Sequence, residues 1–183
     1  DTERELYWSL AFGTSDSKNK IKKITDKLGA MNEENNKNET KKPVPLYEEG
    51  ESLDALKAVP SLGIDPETGK EVFVKKDGSL TTIWDYNDKV VCGTTDPKFR
   101  GTLNSFLTFK GISLNMSFNF QWGGQTYNQT LASRVEGVNP NSNCDRRVLY
   151  DRWKKPGDRT FFKNIALEEN VSNLTTRFVQ DYN

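Results

Sequence analysis

The eleven residues Ile112–Trp122 alternate without a break between apolar and polar side chains. Ile112, Leu114, Met116, Phe118, Phe120 and Trp122 share one parity, and Ser113, Asn115, Ser117, Asn119 and Gln121 share the other. Successive side chains of an extended chain point to opposite sides, so a period of two held this long specifies a β-strand with one greasy and one wet face. Two other segments carry the pattern. Leu6, Trp8, Leu10 and Phe12 oppose Tyr7, Ser9, Ala11 and Gly13, while Phe99, Gly101, Leu103, Ser105, Leu107 and Phe109 oppose Lys98, Arg100, Thr102, Asn104, Phe106 and Thr108. Only Lys110-Gly111 separates the second strand from the third, which makes them a hairpin with a very tight turn. The remaining connections are long.

Strands of this kind fit two architectures. A soluble sandwich also has sheets with one wet face, and in that reading the chain is a soluble or surface-anchored β-sandwich module whose loop aromatics grip carbohydrate. Three details favour a transmembrane barrel. Eleven residues extend about 36 Å, and a 45° tilt projects this onto about 25 Å, the height of the lipid-facing band of a barrel. The apolar parity ends in aromatics: Phe109 near the turn, Trp122 and Phe99 at the far end, Trp8 early in the first strand. Such rings sit at both interfaces of a bilayer. The opposite parity of Ile112–Trp122 is uncharged, whereas the outside of a soluble sheet more often carries Lys and Glu. The expected fold class is therefore all-β: antiparallel strands of a partial transmembrane β-barrel, with long extracellular loops and a short helix. Leu10, Phe12, Leu103, Leu107, Leu114, Met116, Phe118, Phe120 and Trp122 are the expected lipid-facing residues.

Composition is consistent with this. Hydrophobic residues make up 34% of the chain, too few for an ordinary core, while aromatics at 11% are too many and too clustered for a disordered chain. Lys plus Arg equals Asp plus Glu, 26 each, so no net field calls for nucleic acid. No run reaches the roughly 18 apolar residues of a membrane helix, which does not weigh against barrel strands. No signal peptide stands at Asp1, and the chain opens almost within a strand and stops at Asn183 without a closing element, so it reads as an internal piece of something larger.

The chain divides into a barrel strand over 1–20, a long extracellular loop with a small β-region over 21–96, the barrel hairpin over 97–122, and a second extracellular loop leading to the next strand over 123–183. Tight turns on one side and long loops on the other are the asymmetry of outer-membrane barrels, with the tight turn facing the periplasm. Within the first loop, Ile21, Ile24 and Leu28 have helical spacing, predicting a helix over Lys18–Asn32 with Gly29 as a C-cap. The run NEENNKNETKKP that follows reads as a solvated loop. A short strand is expected at Glu71–Lys75, between turns at Asp65–Gly69 and Asp77-Gly78.

Sites are sparse. The chain has no histidine, and no nucleophile–base pair, phosphate loop or metal spacing appears; no enzymatic activity, cofactor or metal is expected. Asp65, Glu67, Asp77 and Asp85 do not match a calcium loop and read as turn-forming acids. Arg146, Arg147, Arg152, Lys154 and Lys155 are interleaved with Asp145, Asp151 and Asp158, which favours a self-neutralising loop network over an anion site. Cys92 and Cys144 are far apart, either unlinked or bridged by a disulfide. Trp84, Tyr86, Tyr127, Tyr150 and Trp153 are the candidate ligand-binding residues, able to stack on sugar faces or to pack inside folded loops. Five N-x-S/T sequences, at Asn38, Asn115, Asn128, Asn170 and Asn173, follow from an Asn- and Thr-rich composition.

Several of these segments together resemble one family. Asp96-Pro97-Lys98-Phe99, Phe109-Lys110-Gly111 and Gly123-Gly124 through Tyr127-Asn128 are similar, in order, to the hairpin of SusC/RagA-type TonB-dependent outer-membrane transporters. Upstream, YEEGESLDALKAVPSLGIDPETGKEVF resembles the family's E-G-x-[SP] and G-[IVL]-D-P-x-T-G segments; downstream, DRRVLYDRWKKPGD and SNLTTRFVQDYN resemble its R-W-x-x-P-G-D and S-R-F-V-x-D stretches. The acid of the first motif adjoins Pro97, and Thr175-Thr176 precedes Arg177 where Ser is usual, a conservative departure; the larger departure is that the family's N-terminal plug, TonB box, most strands and final strand have no counterpart in this sequence. The resemblance implies a section from the C-terminal part of a plugged barrel of about 22 strands. It implies energised import of an oligomeric nutrient, glycan or less often peptide, across the outer membrane of a Bacteroidetes-like Gram-negative cell. It further implies a SusD-like surface lipoprotein that caps the barrel, and TonB acting through an N-terminal region that this chain does not contain. The loops Lys42–Thr95 and Gln125–Arg177 would meet the lipoprotein or the ligand, and the strands would meet outer-membrane lipid.

Overall fold

A computed structural model describes residues 6–37, 42–139, 141, 143–165 and 173–181. Its largest sheet holds the three alternating segments: β1 (Leu6–Ser15) and, after a long excursion, two strands at Phe99–Phe109 and Ile112–Trp122. Between them lie α1 (Asp26–Lys37), β2 (Ala55–Ala58), β3 (Ser61–Ile64), β4 (Glu71–Val74), β5 (Leu80–Thr81) and β6 (Val90–Thr94). The long pair is therefore β7 and β8, and β9 (Gln125–Tyr127) and β10 (Val179–Asp181) follow. The secondary structure is mostly antiparallel sheet with few helices, and the sheet of long strands is open rather than closed into a barrel.

The order in that sheet is β1-β7-β8, antiparallel throughout. Phe109 pairs with Ile112, and the register runs unbroken to Phe99 opposite Trp122; β1 pairs from Leu6 opposite Phe109 to Ser15 opposite Arg100. The turn explains the register. Lys110 and Gly111 have φ of +47° and +82°, the doubly left-handed conformation of a two-residue type I′ turn, whose twist matches that of the strands it joins.

Two excursions leave the opposite end of the sheet. Residues 16–98 form the first, with β2 paired to β6 and β3-β4-β5 forming a small antiparallel sheet. The second runs from β9 through a single π-helical turn at Leu131–Glu136 and a 3-10 turn at Arg146–Leu149, then returns as β10 against β9. The excursions interlock. Val59 N–H donates to Leu174 O and Thr176 N–H to Val59 O, while Ser61 N–H reaches the Thr176 hydroxyl. The core sits here: Ala132, Val135, Val138, Val148, Phe162 and Phe178 cluster, and Leu56, Val59, Ile64 and Phe73 are buried from the first excursion.

The helix differs from expectation at both ends. It begins at Asp26, not Lys18, and Gly29 lies inside it rather than capping it. The reason is competition for the backbone. Ile21 N–H donates to Glu51 O and Ile21 O accepts from Gly50 N–H, both at 2.8 Å, so the Ile21 backbone is committed elsewhere and no helix forms before Asp26. Asn19 braces Ser52, Leu53 and Asp54. At the other end Glu33–Lys37, expected as loop, is helical because Asn32 clamps the Tyr47 backbone with both ends of its amide and Asn35 donates to Pro45 O. The rest of that polar run, 38–41, lies outside the described residues, as do 1–5 of the first expected strand and the sequences at Asn38 and Asn170. The expected strand at Glu71–Lys75 is β4, one residue shorter, because Lys75 opens the next turn by donating to Ser79 O.

Candidate functional site

The first functional surface is the three-stranded sheet itself. Register places Leu6, Trp8, Leu10 and Phe12 on the same side as Leu103, Leu107 and Phe109 and as every apolar residue of Ile112–Trp122. The side chains on this side are open: Phe12 is 64% exposed, Phe118 55% and Ile112 74%. Among the described residues no second sheet covers them, as a sandwich would require. Ser105, a hydroxyl in the middle of this side, is buried and accepts a hydrogen bond from Trp8 Nε1 at 2.9 Å, so it presents no bare polar group to an apolar surrounding.

Aromatic rings border the apolar side at both ends. Trp8 and Phe109 stand near the turn. At the far end Phe12, Phe99, Phe120 and Trp122 stack, with Phe99 and Trp122 centroids 4.4 Å apart. Gly101 makes this stack possible, since a Cβ there would fall 2.3 Å from Phe120 Cζ. The opposite side carries Ser9, Asn104, Thr102, Arg100 and the polar residues of β8. Near the turn these satisfy one another: Thr108 and Ser113 hydroxyls lie 3.0 Å apart, and Ser117 Oγ donates to Asn104 Oδ1 at 2.6 Å.

The second feature is a buried ion cluster that local sequence patterns do not reveal. Arg177 donates through Nε and Nη2 to the two oxygens of Glu71 at 2.7 and 2.8 Å. Its Nη1 and Nη2 also reach Glu136, and Nη1 reaches Phe161 O. Glu136 is wholly buried on the π-helical turn, with Lys163 Nζ 3.6 Å away. Burial opposes the Arg177 charge, but the hydrogen bonds and charge of Glu71, then of Glu136, hold the guanidinium protonated well above its ordinary range. Burial, reinforced by Glu71, pushes the Tyr127 phenol up. Such a cluster ties β4, the π turn and the approach to β10 into one unit. It is closed to solvent, so it is a latch rather than a binding site.

The candidate ligand-binding aromatics have different surroundings, although Trp84 and Tyr127 donate to the neighbouring carbonyls of Leu174 and Asn173. Trp84 donates through Nε1 to Leu174 O at 3.2 Å, and the buried Lys89 ammonium, its pKa lowered by burial, lies 6.0 Å from its ring centre. Tyr86 opens the 3-10 turn Tyr86–Asp88. Tyr127 OH donates to Asn173 O, with its ring edge-on to Phe178. Trp153 is buried, donates to Pro66 O at 2.8 Å and lies against Gly69. Tyr150, 55% exposed beneath Arg146, presents the most open ring of the five.

The basic segment is less self-neutralising than its interleaved charges imply. Asp145 pairs with Arg147 at 2.7 Å, and the hydrogen bonds from the Arg147 side chain and backbone hold its carboxyl down at about 2. Arg152 instead is buried and donates to the carbonyls of Val148, Lys163 and Val135, because the turn points it inward. Asp158 accepts from the Lys154 and Lys155 backbone. Asp65 and Asp77 build turns: hydrogen bonds from the Thr68 hydroxyl and Glu67 N–H, and from Ser79, keep both carboxyls below their ordinary value. Asp85 caps the turn at Tyr86–Asp88. Cys92 and Cys144 are not bridged; their sulfurs face Leu56 O and Asn139 O.

No family model matches the chain. TonB-dependent receptor P3 of Formosa agariphila is 24% identical over 197 aligned positions, which span 98% of this chain and 19% of that protein. The fold is similar to a solved structure of the RagAB peptide transporter, with a TM-score of 0.72, 15% identity, and coverage of 99% of this chain and 19% of that one. A RagAB peptide importer in the open-open state gives a TM-score of 0.69 at 16% identity, with 98% and 19% covered. The chain thus spans about a fifth of the length of the proteins it matches, which are receptors and transporters rather than enzymes. Sequence and fold together support a section of a SusC/RagA-like TonB-dependent receptor.

Proposed function

We propose that this chain is part of the wall of an outer-membrane β-barrel that imports oligomeric nutrients, glycan before peptide. In this reading β1, β7 and β8 separate lipid from lumen, and the Lys110-Gly111 turn faces the periplasm. Residues 21–96 and 123–183 lie outside the cell, beneath a SusD-like lipoprotein, with open rings such as Tyr150 among the groups offered to lipoprotein or ligand. TonB acts through a region that this chain does not contain. The observation that carries the reading is the continuous apolar side across three antiparallel strands, exposed, as long as a bilayer core is thick and bordered by rings at both ends. A soluble protein rarely leaves so wide an apolar surface bare.

The test compares the two sides of β8 in the full receptor. Met116→Arg places a charge at mid-membrane and costs about 2–4 kcal/mol, whereas Ser117→Asp faces the wet side and is tolerated. The measurement is the level of assembled receptor in outer-membrane fractions. Equal tolerance of both changes overturns the proposal.

A further inference from the structure

A groove of about 630 Å³ lies at the start of the first excursion, outside the three-stranded sheet. Two ties build it. The Ile21 backbone bonds to Gly50 and Glu51, and the Asn32 amide clamps the Tyr47 backbone. Together they bring the segment after β1 and the first turns of α1 against residues 47–53. Leu28 and Met31, one turn apart on α1, line the groove with Ile21, Tyr47 and Leu53 and make its floor apolar. Lys20, Lys22 and Lys23 complete it.

These lysines are unmatched. The seven residues Lys18–Ile24 carry four lysines and no acid. The acids on the facing segment are engaged elsewhere: Glu48 and Glu51 both pair with the buried Lys57 ammonium, at 2.6 and 2.7 Å, Glu49 accepts from Ile24 N–H, and Asp54 accepts from Asn19. Lys20, Lys22 and Lys23 make no ion pair or hydrogen bond among the described residues. The Lys20 stem lies over Gly50, with Cε 3.7 Å from the place of a Cβ there, so methylenes rather than charge cover that backbone.

The arrangement joins two chemistries, an apolar floor for hydrocarbon and ammonium groups beside it for an anion. Lysine binds phosphate as a point charge, without the planar fork that arginine offers a carboxylate. Position narrows the source of that phosphate. Lys20 follows Ser15, the last residue of β1, by five positions, a reach of at most about 18 Å. Ser15 in turn stands three residues past Phe12 of the aromatic border. Headgroups add about 5–8 Å to each face of a bilayer's hydrocarbon core, so the lysines are tethered within reach of that layer.

We propose that this groove seats a phosphorylated lipid of the outer leaflet, with hydrocarbon on Leu28 and Met31 and phosphate on Lys20, Lys22 and Lys23. The assignment rests on the transporter reading, which puts this end of β1 at the outer face. A zwitterionic headgroup brings its own cation and gains little from the lysines, and free phosphate leaves the floor uncovered. An acidic polypeptide segment offers similar charge, but the tether to the end of a membrane strand favours the lipid.

The experiment uses the full receptor containing this chain, purified in neutral detergent, with bound lipid counted by native mass spectrometry. The probes are dioleoyl phosphatidic acid, dioleoyl phosphatidylcholine, inorganic phosphate and an amphipathic Leu/Glu peptide. Wild type binds phosphatidic acid about tenfold or more tightly than phosphatidylcholine. Lys20→Gln with Lys22→Gln and Lys23→Gln removes that preference, Leu28→Asn weakens the phosphatidic acid complex, and Lys75→Gln with Lys76→Gln, at another turn of the same excursion, changes neither. Should the triple variant fail to assemble, Leu28→Asn decides. A preference that survives in the assembled triple variant, an unchanged complex in Leu28→Asn, or no preference in wild type overturns the site. Displacement of the lipid by inorganic phosphate at equal concentration, or tighter binding of the peptide, overturns the lipid assignment. All of these leave the transporter reading intact; absence of the receptor from outer-membrane fractions overturns that reading and the site with it.

Discussion

Arg177 offers both arms of its guanidinium to the two carboxylate oxygens of Glu71, at 2.7 and 2.8 Å, across 106 positions of sequence. Bidentate geometry and near-complete burial make this the strongest polar tie between the two excursions. Removing one partner strands a buried charge, so Arg177→Ala costs about 3–5 kcal/mol of local stability. Limited proteolysis of the assembled receptor checks this: the variant is cut in residues 55–94 and 125–165 at protease levels that spare wild type. Arg177→Lys keeps the charge but not the fork, and falls between the two.

A second prediction concerns Gly101 and Phe120. The ring occupies the space where a side chain at position 101 would stand, and Phe12, Phe99 and Trp122 hem it in. Gly101→Val therefore displaces a stacked ring and costs about 1–3 kcal/mol. Phe120→Ala in the same chain recovers part of that loss, because the clash is gone. The double-mutant cycle, read by urea unfolding of the refolded receptor, is non-additive; additive values refute the packing argument.

The three long strands were legible because alternation is a local signal that needs no knowledge of a partner, and the turn was legible because two residues leave few geometries. The start of α1 was not. Helical spacing at Ile21, Ile24 and Leu28 is real, but Gly50 and Glu51 capture the Ile21 backbone from 29 positions away and more, and a tertiary bond of that kind outweighs propensity. The ion cluster was hidden for a related reason. Its members stand at 71, 136, 163 and 177, and no periodicity links them.

The hairpin turn gives a third prediction. Gly111 has φ of +82° and nothing near the place of a Cβ, so its constraint is conformational, not steric crowding. Gly111→Val forces a β-branched residue into the left-handed region and lowers assembly of the barrel by about 1–3 kcal/mol. Lys110→Asn, favoured at this position of a type I′ turn, is neutral or stabilising. Heat-modified mobility of the receptor on gels orders the three proteins.

Gly69 and Trp153 join the Asp65–Gly69 turn to the Trp153–Gly157 segment, and they separate a structural from a ligand-binding role for the tryptophan. Gly69 has φ of +71°, and a Cβ there would fall 2.6 Å from the indole, which also donates to Pro66 O. Gly157 N–H donates to the same carbonyl at 2.8 Å, so Pro66 O is held from two sides. Gly69→Ala meets both a backbone and a packing obstacle, and Trp153→Ala leaves a cavity under the turn. Both changes lower the melting temperature of the receptor, with Trp153→Ala costing about 3–5 kcal/mol. Saturating ligand, once identified, raises the melting temperature of Trp153→Ala by as much as it raises that of wild type, because mass action depends on Kd and the indole is committed to the fold. A ligand shift lost in Trp153→Ala, with the turn still resistant to protease, assigns the ring to the ligand instead.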